Sequence, residues 1–141
     1  MGTKKILLVD DEPDVTRILA KRLGKRGYVC AMASNGQEAL AALTNDPCGL
    51  VVMDVKMPVL DGMAALQQIH QQWPQIKGIL LSGHADMQLA VQAMSQGAFG
   101  YLMKPVDLDE LIFKLEDAFT QSSLEVGADT SPENTRQQMQ R

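Results

Sequence analysis

Residues 49–54 read GLVVMD, an uninterrupted apolar run that closes on a single carboxylate, Asp54. Four other short apolar runs occur along the chain, at residues 5–9, 28–33, 77–81 and 99–103. All five are continuous rather than alternating in polarity, which is typical of strands covered on both faces. Residues 49–54 therefore predict a buried strand of a parallel sheet that delivers an acid at its end.

Amphipathic helical patterns separate the five runs. In the first pattern, apolar residues recur at the spacing of one helix face, at Val15, Ile18, Leu19 and Leu23. The last pattern repeats this spacing with Leu108, Leu111, Ile112, Leu115 and Phe119. Five strand–helix units with short connections predict an α/β fold, a parallel sheet with helices on both faces and right-handed crossovers.

Residues that typically begin and end helices occur where this alternation predicts helix ends. Pro13 suits the first turn of helix one, and Gly27 suits its exit. Capping residues precede the second, third and fifth helices, as Asn35 with Glu38, Asp61-Gly62, and Asp107 with Glu110. A fourth helix is predicted over about residues 86–96, which carry no charge after Asp86.

The composition of the chain disfavours several classes of protein. The 141 residues are 45% hydrophobic and 21% charged, so one ordinary domain is expected rather than a multidomain enzyme. The net charge of -4 gives the domain no electrostatic footprint for nucleic acid or an anionic membrane. The longest clean apolar runs, residues 6–9 and 50–53, are far too short to cross a bilayer. Cys30 and Cys48 lack metal-site spacing, which favours reduced thiols in a cytoplasmic protein.

Polar residues collect where the predicted strands end. Asp10 and Asp11 follow the first strand and Asp54 ends the third, while Ser82 ends the fourth and Lys104 follows the fifth. In such a sheet, ligands bind beyond the carboxyl ends of the strands. Three close carboxylates repel one another unless a cation lies among them, and an all-oxygen donor set favours Mg²⁺. A metal with a lysine and a hydroxyl suits phosphoryl transfer, for which Asp54 is the natural nucleophile.

These motifs in order make residues 4–121 resemble the receiver domain of a two-component response regulator. The resemblance rests on an opening LLVDDE at residues 7–12, Asp54 with Met57-Pro58 and Asp61-Gly62, then Ser82, and then Lys104-Pro105. It implies a flavodoxin-like (βα)5 doubly wound parallel sheet of three layers with strand order 2-1-3-4-5. It also implies that the protein is a switch rather than an enzyme, assisting only its own phosphorylation and dephosphorylation.

The resemblance assigns roles by position. Asp54 would accept a phosphoryl group from the phosphohistidine of a sensor histidine kinase or a phosphotransfer protein. Asp11, Asp54 and the backbone carbonyl of Lys56 would coordinate Mg²⁺, and Asp10 would help through water. Ser82 and Lys104 would bind the phosphoryl oxygens, Tyr101 would be the switch aromatic, and the Lys104-Pro105 bond would be cis.

Two further residues flank the path by which water would attack the phosphoryl group. Lys56 lies two positions after Asp54, and His84 lies two positions after Ser82. We interpret this basic pair either as exposed side chains without a role or as residues that tune phosphate lifetime or kinase choice. An unchanged phosphate lifetime after both are replaced by alanine would refute the tuning hypothesis.

Several partners and alternatives stay open from the sequence. The resemblance implies output or dimerisation through the face of helix four, strand five and helix five, and the uncharged helix four favours an apolar contact there. The leading hypothesis is a single-domain regulator that signals by binding a separate effector protein, with no direct binding of nucleic acid or membrane. The second is that the chain is the N-terminal receiver piece of a longer transcription activator or hybrid kinase, whose output domain is the effector. Residues 122–141 are polar without an apolar stripe, which predicts a flexible tail or a linker after a receiver at residues 1–121.

A third hypothesis is a phosphatase of the haloacid-dehalogenase-like type, which also uses an aspartate nucleophile on a parallel sheet. That chemistry needs a second acid two residues after the nucleophile, where this chain has Lys56. Nucleotide binding is disfavoured because no glycine-rich phosphate loop follows the first strand. A receiver that has lost phosphorylation is disfavoured because Asp10, Asp11, Asp54, Ser82 and Lys104 are all present.

Overall fold

The computed structural model describes residues 4–83 and 87–130 of the chain. Strands and helices alternate in the order β1 (Lys5–Val9), α1 (Pro13–Gly24), β2 (Val29–Ala33), α2 (Gly36–Asn45), β3 (Leu50–Asp54), α3 (Gly62–Gln72), β4 (Lys77–Ser82), α4 (Met87–Ser95), β5 (Gly100–Met103) and α5 (Leu108–Thr130). The strands form one parallel sheet in the order β2-β1-β3-β4-β5. The predicted fold and strand order are confirmed, and the predicted strand bounds differ by no more than one residue.

The continuous apolar runs of the inner strands are explained by two separate core layers. Side chains of successive strand residues point to opposite faces of a sheet. In β1, Leu7 and Val9 pack with α2, α3 and α4, whereas Ile6 and Leu8 pack with α1 and α5. The residues of β3 divide between the two layers in the same way. Both faces of the central strands are therefore buried, as the sequence predicts.

The two edge strands differ from this prediction. Val29 and Met32 of β2 are about half exposed, at 48% and 52%, and Met103 of β5 is 43% exposed. An edge strand lies at the margin of the helical layers, so apolar residues on it remain partly in contact with solvent. The expectation that all five runs are covered on both faces is therefore wrong for β2 and β5.

The predicted helix caps are present. The carboxamide oxygen of Asn35 accepts the backbone N–H of Glu38 at 2.9 Å, and Asp61 accepts that of Ala64 at 2.8 Å. Asp107 caps α5 in the same way. These side chains satisfy N–H groups that have no partner within the helix. Helix α1 ends at Gly24, and Gly27, with φ of 95°, makes the turn that leads into β2.

Helix α5 is longer than the sequence pattern suggests. Its backbone stays helical through residues 122–130, a stretch for which the composition predicts a flexible segment. Residues 131–141, the rest of that predicted segment, lie outside the described residues. Although α5 has 23 residues, neither it nor another helix in the described ranges is long and apolar enough to cross a membrane.

The sequence places His70 on the outer face of helix three and so predicts a solvated side chain, a prediction that is wrong because the imidazole has a defined structural environment. Its Nε2 lies 3.0 Å from the carbonyl oxygen of Ile76, just before β4. The opposite side of the ring faces Gly97, where a Cβ would lie 3.0 Å from Nδ1. The half-buried imidazole therefore connects the end of α3, the start of β4 and the segment after α4.

Candidate functional site

The predicted polar residues converge at the carboxyl edge of the sheet. Asp10 follows β1 and Asp54 ends β3, and these two strands are hydrogen-bonded neighbours at the centre of the sheet. Ser82 ends β4, and Lys104 follows β5. The chain proceeds outward in both directions from the β1–β3 pair, so a crevice opens above it. The topology explains how residues separated by more than 90 positions meet in one site.

Lys104 bridges the two buried acids. Its Nζ lies 2.9 Å from Oδ2 of Asp10 and 3.4 Å from Oδ2 of Asp54. Asp10 is 3% exposed and Asp54 is 7% exposed, so both carboxylates are largely removed from water. The ammonium group therefore partly offsets the repulsion between two acids that are held close together.

Burial and the neighbouring charges together change the pKa of the Asp54 carboxyl group. Burial raises the pKa of the Asp54 carboxyl group above its ordinary value, and the nearby charge of Asp10 raises it further. The Lys104 ammonium and the backbone N–H of Lys56, 3.4 Å from Oδ1, act in the opposite direction without cancelling the increase. For Lys104, burial lowers the pKa, but the contacts with Asp10 and Asp54 outweigh burial and raise it. Lys104 is therefore cationic at neutral pH.

Asp10, Asp11 and Asp54 form an acidic cluster. One carboxylate oxygen from each lies within 4.8 Å of the others. Asp11 is exposed, in contrast to its two buried neighbours, and faces an open cleft of about 770 Å³ together with Lys56. Hard divalent cations prefer all-oxygen sets of this kind, and a bound cation would offset the burial and the Asp10 charge that together disfavour the ionised Asp54 carboxylate. The residues present therefore fit Mg²⁺.

Ser82 and Lys104 are held together through the backbone. The N–H of Lys104 donates to the carbonyl oxygen of Ser82 at 2.7 Å, and Ser82 is 2% exposed. The following Lys104-Pro105 peptide bond is cis. The predicted hydroxyl and ammonium groups therefore emerge from adjacent strand ends.

Tyr101 lies on β5 and packs against the core layer formed with α2, α3 and α4. Its hydroxyl group is buried and has no hydrogen-bond partner among the described residues. Buried polar atoms are normally paired, because an unpaired one has lost its hydration without compensation. An outward rotation of the Tyr101 ring would therefore be favoured by the hydrogen bond that its hydroxyl group gains, to water or to protein.

The loop between β3 and α3 is closed at its base by backbone contacts. The N–H of Val55 donates to Leu81 and that of Gly62 donates to Val55, both at 2.8 Å. Gly62 approaches Asp54 so closely that a Cβ would lie 2.4 Å from its carbonyl oxygen. In the sequence, Asp61-Gly62 is a helix start and part of the receiver motif, and neither feature predicts this contact. The sequence signal for this contact is the glycine at position 62. The chain reverses next to Asp54, and a residue without a side chain is needed for the two backbones to approach this closely.

The structure describes only one of the two predicted tuning residues. Lys56 is exposed at the site, with its backbone N–H directed to Asp54. His84 lies outside the described residues, and the tuning role stays a prediction for both Lys56 and His84.

Comparison with known proteins extends these observations. The family described as "Response regulator receiver domain" matches residues 6–116. The DNA-binding transcriptional regulator NtrC of Salmonella typhimurium is 38% identical over 115 residues, which make up 82% of this chain and 24% of that protein. The chain spans about a quarter of the length of the curated relatives it matches.

Solved structures agree with the sequence matches. A response regulator receiver domain protein from Clostridium thermocellum is 35% identical with a TM-score of 0.81, and the match covers 85% of this chain and 97% of that one. A receiver domain protein described as CheY-like, from Methanospirillum hungatei JF-1, is 30% identical with a TM-score of 0.83. That match covers 88% of this chain and 99% of the other.

Proposed function

Because the chain belongs to the response regulator receiver family, we propose that Asp54 is the residue that accepts the phosphoryl group. The observation that carries this proposal is the contact of Lys104 with both Asp10 and Asp54 inside a cluster of three acids. A carboxylate nucleophile needs neighbouring positive charge, since the incoming phosphoryl group is itself anionic.

The transfer step is a displacement at phosphorus. An Asp54 carboxylate oxygen forms the new P–O bond while the P–N bond of a kinase phosphohistidine breaks, and the departing imidazole keeps the bonding electron pair and takes up a proton. Lys104 pairs with a phosphoryl oxygen, and the Ser82 hydroxyl donates to another. Asp11, Asp54 and the carbonyl group of Lys56 would hold Mg²⁺, and Asp10 would contribute through water. When bound, the ion neutralises charge on the phosphoryl oxygens.

The Ser82 and Tyr101 side chains connect this chemistry to a binding surface. Phosphorylation adds charge and acceptor oxygens beside Ser82, which favours an arrangement in which Ser82 moves toward them. Tyr101 is adjacent to this region on β5, and its unpaired hydroxyl supports an outward alternative. The result is a shift between two populations of the α4–β5–α5 face, rather than turnover of a substrate.

The test of the proposed chemistry is direct phosphorylation. The chain is incubated with Mg²⁺ and a small-molecule acyl phosphate or phosphoramidate, and its intact mass is then measured. We expect a phosphate-sized increase that requires Mg²⁺ and is lost in Asp54→Ala. The absence of any increase with every donor would contradict the proposal and favour a receiver without phosphorylation.

Exposed apolar side chains support the α4–β5–α5 face as the output surface. Four large ones lie on these elements: Val91, Met94, Met103 and Phe113. Phe113 is 70% exposed on α5, which is unusual for an aromatic residue that has no role in binding. We infer that this face binds a second copy or a downstream effector after phosphorylation.

We expect Phe113→Ser to weaken phosphorylation-dependent self-association by about 10-fold, because a large aromatic side chain buried in an interface contributes strongly to binding. Sedimentation velocity with and without the phosphodonor measures the effect. Val29→Ser is the matched control, since Val29 is 48% exposed on β2, at the edge of the sheet opposite β5. If the phosphorylated chain self-associates and both variants do so equally well, Phe113 has no part in the interface.

The relatives favour a second arrangement, in which this receiver is the first part of a longer transcription activator. NtrC of Salmonella typhimurium is about four times longer than the matched segment. In that case the effector is an output domain of the same cytoplasmic protein, and the histidine kinase remains the phosphodonor. The reading frame that follows codon 141 distinguishes this arrangement from a separate effector.

A further inference from the structure

Three apolar side chains of the β3–α3 loop, residues 55–61, hold the loop against the core. Val55 and Met57 are buried, and Leu60 packs partly against the same core layer. Lys56, between the first two, is exposed. The carbonyl group of Lys56, a proposed metal ligand, therefore depends on where these anchors place the loop.

The loop contains one strained position. Val59 has φ of 72°, a region that β-branched residues rarely adopt, and the N–H of Leu60 donates to Pro58 across it at 2.8 Å. The Val59 side chain is 75% exposed, so its own packing does not offset the strain. Such a conformation persists because the flanking contacts impose it. Because the hydrogen bond joins Leu60 to Pro58 across Val59, a displacement of Leu60 is passed to the chain before it.

Gly36, the first residue of α2, supports the anchor at Leu60. A Cβ on Gly36 would lie 2.7 Å from the Leu60 carbonyl oxygen, 2.9 Å from the Leu60 Cβ and 3.0 Å from the Ala65 Cβ. Ordinary contacts of this kind begin at 3.4 Å. The closest neighbour is backbone, which cannot rotate away as a flexible side chain can. Only a residue without a side chain allows α2 and the loop to approach this closely.

We propose that Gly36 is a positioning residue for the metal site, acting through Leu60 and the loop on the carbonyl group of Lys56. This inference rests on the proposed function, in which that carbonyl group binds Mg²⁺. A methyl group at position 36 would push the Leu60 carbonyl by several tenths of an ångström, and the strained turn at Val59 would transmit the shift toward Lys56. Mg²⁺ requires a near-ideal octahedron with bonds of about 2.0–2.1 Å, whereas Ca²⁺ accepts longer and more variable bonds. The displacement therefore affects Mg²⁺ more than Ca²⁺.

The test compares the two ions on the whole chain. Isothermal titration calorimetry with Mg²⁺ and with Ca²⁺ is carried out on wild type, Gly36→Ala and Gly24→Ala. We expect Gly36→Ala to bind Mg²⁺ roughly 10-fold more weakly, in the range seen when a residue that orients a ligand is altered, and Ca²⁺ within about 2-fold of wild type. Gly24→Ala is the matched control, because nothing lies within 4 Å of its added Cβ.

The outcomes separate a positioning role from a structural one. Thermal unfolding of the same samples reports stability, and titration in the cold keeps a destabilised variant folded. A lower melting temperature with unchanged Mg²⁺ affinity would assign Gly36 to packing alone and overturn the inference. Equal losses for Mg²⁺ and Ca²⁺ would also overturn it, since they would indicate a damaged site rather than a displaced ligand. A wild-type chain that binds neither ion would instead overturn the proposed metal site, and this inference with it.

Discussion

An Asp54→Asn variant is expected to take up no phosphate and yet to unfold at a higher temperature than wild type at pH 7. The first effect follows because a carboxamide is not a nucleophile for phosphorus under these conditions. The second follows because the charge of Asp54 is unfavourable in the folded protein, where burial and Asp10 raise its pKa. Chemistry and stability are therefore expected to change in opposite directions.

The pH dependence identifies the cause. Since the pKa of Asp54 is raised from 3.8 by folding, the folded state holds the proton of this carboxyl group to a higher pH than the unfolded chain does. Stability that depends on the proton is complete below pH 3.8 and is lost as pH rises through the folded-state pKa. The advantage of Asp54→Asn should therefore be greatest at neutral pH and disappear in acid.

Differential scanning calorimetry of the metal-free proteins between neutral and acidic pH measures this effect. We expect an increase of about 2–4 °C for Asp54→Asn at pH 7. Asp109→Asn is the control, because the Asp109 side chain is 89% exposed and should leave the midpoint nearly unchanged. A melting temperature for Asp54→Asn at or below that of wild type at pH 7 would show that the contact with Lys104 outweighs the cost of burial.

Gly62→Ala is expected to be the most destabilising single substitution considered for this chain. The new Cβ would lie 2.4 Å from the carbonyl oxygen of Asp54 and 3.0 Å from the Cα of Val55, and both are backbone atoms. The loop cannot open without breaking the Gly62–Val55 hydrogen bond. We expect a loss of roughly 2–4 kcal/mol in the free energy of unfolding, at the upper end for added volume in a packed region.

Urea denaturation followed by circular dichroism measures this loss, and intact mass after treatment with the phosphodonor measures its effect on Asp54. Gly24→Ala again serves as the control, with stability equal to or above wild type because alanine favours the end of α1. If Gly62→Ala retains both the urea midpoint and phosphate uptake, the loop accommodates the methyl group and the close approach has no energetic significance.

The alternation of strands and helices and the convergence of the acids could be predicted because they depend on patterns that a sequence carries directly, whereas the spatial order of the strands was implied by the family resemblance. Five apolar runs, the caps at Asn35, Asp61 and Asp107, and acids placed just after strands are all local signals. Parallel topology then brings Asp10, Asp54 and Lys104 to one edge. Residues separated in sequence are placed together by simple geometry, so the site follows once the fold is known.

Features that depend on close packing between distant segments could not be predicted in this way. Glycine at position 36 is equally compatible with a helix start and with an approach of 2.7 Å to Leu60, and the sequence does not distinguish these. The strain at Val59 results from its neighbours' anchors rather than from valine itself. His70 resembles an exposed helix residue until the chain after α4 is placed beside it.

The environment of His70 also provides a built-in probe. The chain has two histidines, and imidazole ring protons resonate in a region of the proton NMR spectrum with few other side-chain signals. The ring of His70 lies beside Gly97, two residues after α4, and its Nε2 is 3.0 Å from the carbonyl oxygen of Ile76 just before β4. A displacement of α4 relative to the sheet would change the magnetic surroundings of this ring. One-dimensional spectra of unlabelled protein, recorded before and after the addition of a phosphodonor, can therefore follow the movement of a helix whose own residues supply no comparably isolated resonance.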